Sequence, residues 1–290
     1  NFGGGTYLNL NGDLGYHILS TEKDALDVWF THRSTNGKVK YLNVDEKVKA
    51  KLNDNLGGLD FRHAFGRLDL SMGVKYGYSA FNYYGLPVSG SLVSSLPTHT
   101  YDRETNQGAQ TLRVHAGVQS KEEAPVGYLL DVAYTHFSRK YGLTKKMDGA
   151  GENAVDVRFD LNAGFNGDMT IGLGGVVSYF NYDLSESQAN EMMYLPEYLR
   201  NAGLYNLENR ADVTLSPYYK VEGENWHIRL GANVMLYTGD NHKFMASPNV
   251  AADVTVADKT VLYLKADGKL SANSMYQMAR INRYVNPVAG

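Results

Sequence analysis

The sequence predicts an all-β fold, an antiparallel barrel whose strands cross a membrane. Three observations carry this. Apolar and polar residues alternate with period two through 12 separate stretches. Several stretches run about ten residues or more, longer than the ~5–6 residues common in soluble sheets. Short and long connections alternate along the chain.

The strands follow in order. The first covers 8–18 and the second 26–30, joined by the short connection 21–24. The third, 48–64, breaks its alternation near Asn53 to Gly58, where a β-bulge is expected. The fourth places Leu68, Leu70, Met72, Val74, Tyr76 and Tyr78 opposite Asp69, Ser71, Gly73, Lys75, Gly77 and Ser79. The fifth sets Leu112, Val114, Ala116 and Val118 against Arg113, His115 and Gln119, and the sixth sets Tyr128, Leu130, Val132 and Tyr134 against Asp131 and Thr135. The seventh is the clearest: Val155, Val157, Phe159, Leu161, Ala163 and Phe165 share one face, Asp156, Arg158, Asp160 and Asn162 the other. Successive strand side chains point to opposite faces, so this is a strand with one apolar and one polar side. The eighth alternates around Ile171, Leu173 and Val177, with Gly172, Gly174 and Gly175 inside it, where glycine suits close backbone approach or a lumen constriction. The ninth carries Ala211, Val213, Leu215, Pro217, Tyr219 and Val221 against Glu208, Arg210, Asp212, Thr214 and Lys220. The tenth, 226–237, opposes Trp226, Ile228, Leu230 and Val234 to His227, Arg229 and Asn233. The eleventh, 246–256, and the twelfth, around Leu262 and Leu264 against Lys265 and Asp267, complete the set.

The connections 21–24, 65–67, 120–127, 165–168, 222–225 and 257–259 are short; 35–47, 84–109, 142–152, 184–206 and 239–243 are the others. A sandwich would place loops of mixed length at both ends. Lipid accounts for both facts. A closed barrel satisfies every strand hydrogen bond, turns its apolar band outward and keeps a polar lumen, with short turns at one end and long loops at the other. Tyr is also twice as frequent as Phe, 22 against 10. Aromatic rings with a polar tip suit the membrane–water boundary, and Tyr16, Phe65, Tyr128, Phe165, Tyr219 and Trp226 lie next to short turns, where one girdle is expected. The competing reading is a soluble sandwich or lipocalin-like barrel, which would have to bury Asp156, Arg158, Asp160, Glu208, Arg210, Asp212, Arg229, Lys265 and Asp267 or turn them all out; buried charge is costly unless paired.

Composition narrows the function. With 28 Lys and Arg against 31 Asp and Glu the net charge is -3, unlike the basic excess of a nucleic-acid binder. The absence of cysteine excludes disulfides and a thiolate zinc site. A mean hydropathy of -0.37 and the lack of a long apolar run exclude membrane-spanning helices. No cofactor is expected.

Residues 215–234, 247–268 and 281–287 resemble barrel segments of Bacteroidota outer-membrane proteins of the TonB-dependent receptor-like kind. The likeness is best over 206–287. It implies an outer-membrane location in a bacterium of that type. Active transport would further require a plug domain and a TonB-contacting segment, neither of which the sequence displays, and a full-size receptor barrel has about 22 strands. With short turns periplasmic, the first strand runs downward and the twelfth upward. The chain is therefore expected to be an internal piece, 1–290 forming one barrel domain, of a barrel of about 14 strands or more.

Nine charged positions are the candidate lumen residues: Asp156, Arg158, Asp160, Glu208, Arg210, Asp212, Arg229, Lys265 and Asp267. They form a polar passage, a docking surface for a plug, or a salt-bridge network that fills the interior. The eight His show no tight metal-ligand spacing, and 240–242 (Asp-Asn-His) reads as a polar turn rather than a hydrolase fragment. Two short helices are expected on the long-loop side: one within 186–203, running from Pro196 through Arg200 with Gly203 just beyond, and one at 274–284, with Met275, Met278 and Ile281 at three-residue spacing. They pack on their own barrel, cap its mouth, or bind another outer-membrane protein. Outer-membrane lipid is the expected partner, and the function is solute transport as a receptor or channel, or a structural role in a larger outer-membrane assembly.

Overall fold

Each of the 12 predicted stretches forms a strand in the computed structural model, which describes residues 1–40, 47–84, 105–121, 126–142, 148–184, 207–239, 243–257 and 260–285. A short strand β1 (Phe2–Gly5) precedes them. The others are β2 (Asn9–Ser20), β3 (Asp24–Lys40), β4 (Lys47–Ala64), β5 (Leu68–Asn82), β6 (Asn106–Ser120) and β7 (Val126–Arg139). They continue with β8 (Gly151–Phe165), β9 (Met169–Asp183), β10 (Arg210–Glu222), β11 (Trp226–Tyr237), β12 (Lys243–Ala257) and β13 (Thr260–Asp267). All 13 join one antiparallel sheet in sequence order, a meander in which each strand pairs with its chain neighbours. Among the described residues no ladder joins β1 to β13. One helix, α1 (Met275–Ile281), follows the sheet.

Two faces of unequal chemistry result. Register places Asp131 opposite Arg158, Ala133 opposite Asp156, and Ser178 opposite Asp156 on the other side, so the odd residues of β7 and the even ones of β8 to β10 share a face. The reverse face carries Leu130, Val132, Leu161, Ile171, Leu173, Leu215, Ile228 and Leu230, all exposed. The segment 268–285 reaches Asp54 of β4, Glu152 of β8, Asn233 of β11 and Ser247 of β12, all on the polar face, so the polar face is the concave one. A soluble 32.1 kDa monomer exposes about 12,000 Å²; this chain exposes 18196 Å². The two stacked sheets of a sandwich are absent among the described residues. In water the apolar exterior would be untenable; in lipid it is the stable arrangement.

Above the apolar band the polarity inverts. On β4 the outer residues Lys47, Lys49 and Lys51 face out while Val48 and Ala50, at 4% and 9% exposure, face in. Lys38 and Val39 of β3 do the same across the ladder. This explains the interrupted alternation of 48–64. It is not a bulge: β4 keeps unbroken register with β3 and β5. Register shifts occur instead between His17 and Leu19 and between Thr255 and Ala257. Strands also overrun their expected ends. Residues 35–40, expected in a connection, continue β3, and only 41–46 lie between β3 and β4. Backbone amides keep pairing beyond the point where side-chain alternation stops advertising a strand, so this connection is shorter than expected, while shorter and longer connections still alternate along the chain. At the opposite end β8 turns into β9 through Asn166 and Gly167, both with positive φ (51° and 77°), the backbone that Asn and Gly tolerate in a hairpin.

Candidate functional site

The concave face bears the predicted charges and holds the final described segment against them. Asp156, Arg158 and Asp160 project from β8. The Asp156 carboxylate accepts a hydrogen bond from Ser178 Oγ at 2.7 Å and lies 3.6 Å from the Arg113 guanidinium of β6. Asp160 accepts the Tyr218 hydroxyl at 2.9 Å. The Arg229 guanidinium stacks 3.8 Å from the Tyr218 ring centre. That ring occupies the space a Cβ at Gly172 would need, 2.2 Å from its nearest atom, so Gly172 sits in the strand to admit an aromatic onto the wall. Lys265 pairs with Asp267 at 3.0 Å on β13. Glu208 lies outside the strands, in the segment leading into β10.

Arg210 and Asp212 differ from the rest. Both are buried, 6% and 7% exposed, and lie 3.9 Å apart. The Arg210 guanidinium stacks near Phe180 at 4.9 Å and donates to the Asn273 carbonyl at 3.1 Å. The segment after β13 lies across the concave face and covers Arg210 there. The Gly268 carbonyl accepts from Asn233 of β11 and Ser247 of β12 at 2.6 and 3.0 Å. Ser274 caps α1 by accepting from the Gln277 amide. Glu152 of β8, 1% exposed, accepts from the amides of Met275 and Tyr276 at 2.5 and 3.4 Å. A carboxylate against the first amides of a helix neutralises donors that would otherwise be buried unpaired. Met275 inserts among Phe137, Ala154, Phe180 and Tyr182, the main buried cluster. Past the helix, Arg283 reaches Asp54 of β4 at 2.8 Å, and Tyr284 meets Phe81 and Tyr83 edge-on.

The helix at 275–281 is therefore where the sequence places it, but its apolar spacing misleads. Ile281 is 85% exposed, whereas Tyr276 and Ala279 pack on the cluster with Met275. It sits inside the wall rather than projecting from the mouth. Glu152, Asp54, Phe137 and Phe180 are the residues that sequence reading missed. The signal available for Glu152 was an acidic residue on the even-numbered face of β8, four positions before Asp156; what it binds was not legible. The candidate helix within 186–203 and the 240–242 turn lie outside the described residues.

Of the aromatic candidates, Tyr16, Tyr128, Phe165, Tyr219 and Trp226 all occupy the outer face beside short connections. Phe165 and Tyr219 lie 6.2 Å apart, ring centre to ring centre. The second tryptophan, Trp29, faces inward and donates to Asp60 at 2.7 Å. His227 pairs with Asp253 at 2.8 Å on the concave face, and His136 contacts Asn153 at 2.9 Å on the outer one. Among the described residues no group of three or more His, Asp and Glu is placed to hold a metal ion.

Several cavities open along this wall, and two of them meet the charges of β8. One of about 480 Å³ lies at the short-turn end, with Arg62, Asp131 and Arg158 in its lining. Another of about 610 Å³ lies beneath α1, with Lys75, Arg113, Asp156 and Arg280 in its lining. They meet β8 at Arg158 and Asp156, neighbours on one face.

No protein-family model matches the chain, and no curated protein matches it. Solved structures do. The siderophore receptor PiuA of Acinetobacter baumannii superposes with a TM-score of 0.57 at 10% identity, over 90% of this chain and 47% of that one. The ferric yersiniabactin uptake receptor FyuA of Yersinia pestis gives 0.51 at 9% identity, over 89% and 44%. The chain spans less than half the length of either receptor. At such identity the likeness concerns the fold alone: the antiparallel sheet of this chain is similar to part of the β-barrels of these two receptors.

Proposed function

We propose that the chain is the wall of an outer-membrane barrel through which a small polar solute passes, as a receptor or channel, and that it is not an enzyme. The observation carrying this is the concave face: mixed charges, two cavities and a hydrogen-bonded aromatic wall behind an apolar exterior, in a receptor-type fold. Lipid covers the outer face, with Tyr16, Tyr128, Phe165, Tyr219 and Trp226 as the girdle toward the short turns. Asp156, Arg158, Asp160 and Arg229 line the passage. Arg210, with Asp212 beside it, anchors the segment 268–285 through Asn273. The balance of signs argues against strong ion selectivity in the wall as a whole. The resemblance of 206–287 to Bacteroidota receptor-like barrels supports the same reading. The long loops are the surface through which other outer-membrane proteins would attach.

A second reading, an accessory subunit of a larger outer-membrane assembly, draws on one observation: 268–285 already fills part of the concave face. Vesicle swelling separates the two. Reconstituted full chain should admit uncharged sugars of monosaccharide size and exclude large oligosaccharides. Impermeability to the smallest sugar, both in the native chain and in Glu152→Ala, would overturn passage and leave the accessory role.

A further inference from the structure

The cavity beneath α1 contains more cations than its carboxylates answer. Lys75 of β5, Arg113 of β6 and Arg280 of α1 line it together with two acids, Glu152 and Asp156. Both acids are committed. Glu152 uses one oxygen on the Met275 amide and the other on the Tyr276 amide. Asp156 takes the Ser178 hydroxyl on one oxygen and faces Arg113 with the other. Arg113 is thereby partnered, and it also donates to Thr135 at 2.8 Å. Lys75 and Arg280 form no ion pair among the described residues. Arg280 lies only over the Tyr276 ring, at 5.7 Å. Lys75 lies within electrostatic range of both arginines and of Asp60, whose carboxylate already accepts from Trp29 and which is not part of the cavity lining. Three like charges converging on one hollow repel one another, and an anion among them removes that repulsion.

From this we infer that the cavity binds a small solute bearing two or more oxyanion groups, carboxylate or phosphate, held by Lys75 and Arg280 with Arg113 behind them. The volume of about 610 Å³ falls within the range of small-molecule sites. An arginine fork grips such oxygens by two parallel hydrogen bonds, while lysine supplies a mobile point charge. Two strands and the helix contribute one cation each, so the site is complete only while α1 is seated on Glu152. The wall is mixed in sign overall, but this station within it is selective for anions. The inference names the solute class for the passage proposed above and rests on that reading for its physiological sense.

The test is calorimetric titration of the full chain in zwitterionic detergent at low ionic strength, with citrate and inorganic phosphate as probes. Citrate should bind, more weakly as salt rises, and Lys75→Gln and Arg280→Gln should each weaken it about tenfold or more. Arg62→Gln, in the other cavity, should bind as the native chain does. Arg280 is exposed on α1, so its substitution leaves the fold intact, and amide exchange of 274–285 checks this. No heat from either probe at millimolar concentration, or native binding by both Lys75→Gln and Arg280→Gln, would overturn the site. The two readings fail separately: sugar-driven swelling without citrate binding removes the anion site alone, and charge-dependent citrate binding in an impermeable protein removes passage alone.

Discussion

Glu152→Ala should release the segment 268–285 from the concave face of the sheet while leaving the strands paired. The carboxylate is 1% exposed and accepts two backbone amides at the start of α1. Hydrogen bonds to a charged group contribute about 1.5–3 kcal/mol each when good. The bond to Met275 at 2.5 Å is short and the one to Tyr276 at 3.4 Å is long. Counting the first in full and the second as marginal gives a loss of about 3 kcal/mol. Burial of the Met275 side chain, about 1.5–3 kcal/mol, opposes release, as do the Arg283–Asp54 pair and the Arg210 bond to Asn273. Local opening should thus become about a hundredfold easier without being complete. Hydrogen exchange measures this directly: the amides of Met275, Tyr276 and Met278 should exchange about a hundredfold faster, and those of β5 to β9 at unchanged rates. Trypsin should cut sooner after Lys269, Arg280 and Arg283. Glu152→Gln keeps an acceptor of the same shape and should give an effect of about tenfold or less. Unchanged exchange in Glu152→Ala would refute the claim that this carboxylate holds the segment in place.

Other predictions concern the two faces. In single-tryptophan variants, bromine-labelled lipid chains should quench Trp226, on the outer face, and spare Trp29, bonded to Asp60 inside; equal quenching would contradict the assigned faces. Leu215→Arg, in the middle of β10 and 40% exposed, should cost about 2–4 kcal/mol in denaturant unfolding from a bilayer, whereas Arg158→Gln on the concave face should cost well under about 1 kcal/mol. Gly172→Ala should lose about 1–3 kcal/mol by driving Tyr218 off the wall. Most of that loss should vanish when Tyr218→Ala is already present, and a double-mutant cycle gives the coupling.

The candidate charges divide by how local their determinants are. Asp156, Arg158 and Asp160 were legible because period two within one strand places them on one face, and strand geometry alone enforces it. So were Tyr16, Tyr128, Phe165, Tyr219 and Trp226, each next to a connection that turns tightly. The supposed bulge in 48–64 was misread because a chemical change outside the apolar band mimics a change of register. Val48 and Ala50 point inward for the same geometric reason as Asp54 and Asp60, but their outward neighbours change from apolar residues to lysines.

By itself the sequence determined the strands, their order and which face of the sheet is apolar, since alternation, turn chemistry and neighbour pairing all act over a few residues. Tertiary structure alone decided where α1 goes. A helix of seven residues has too few turns to stand on its own, and its anchors are Glu152, 123 positions before Met275, and Asp54, 229 positions before Arg283. Contacts at such separation leave no periodic trace in the chain. They exist because curvature of the sheet brings β4 and β8 within reach of one short segment, and that curvature is a property of the assembled wall.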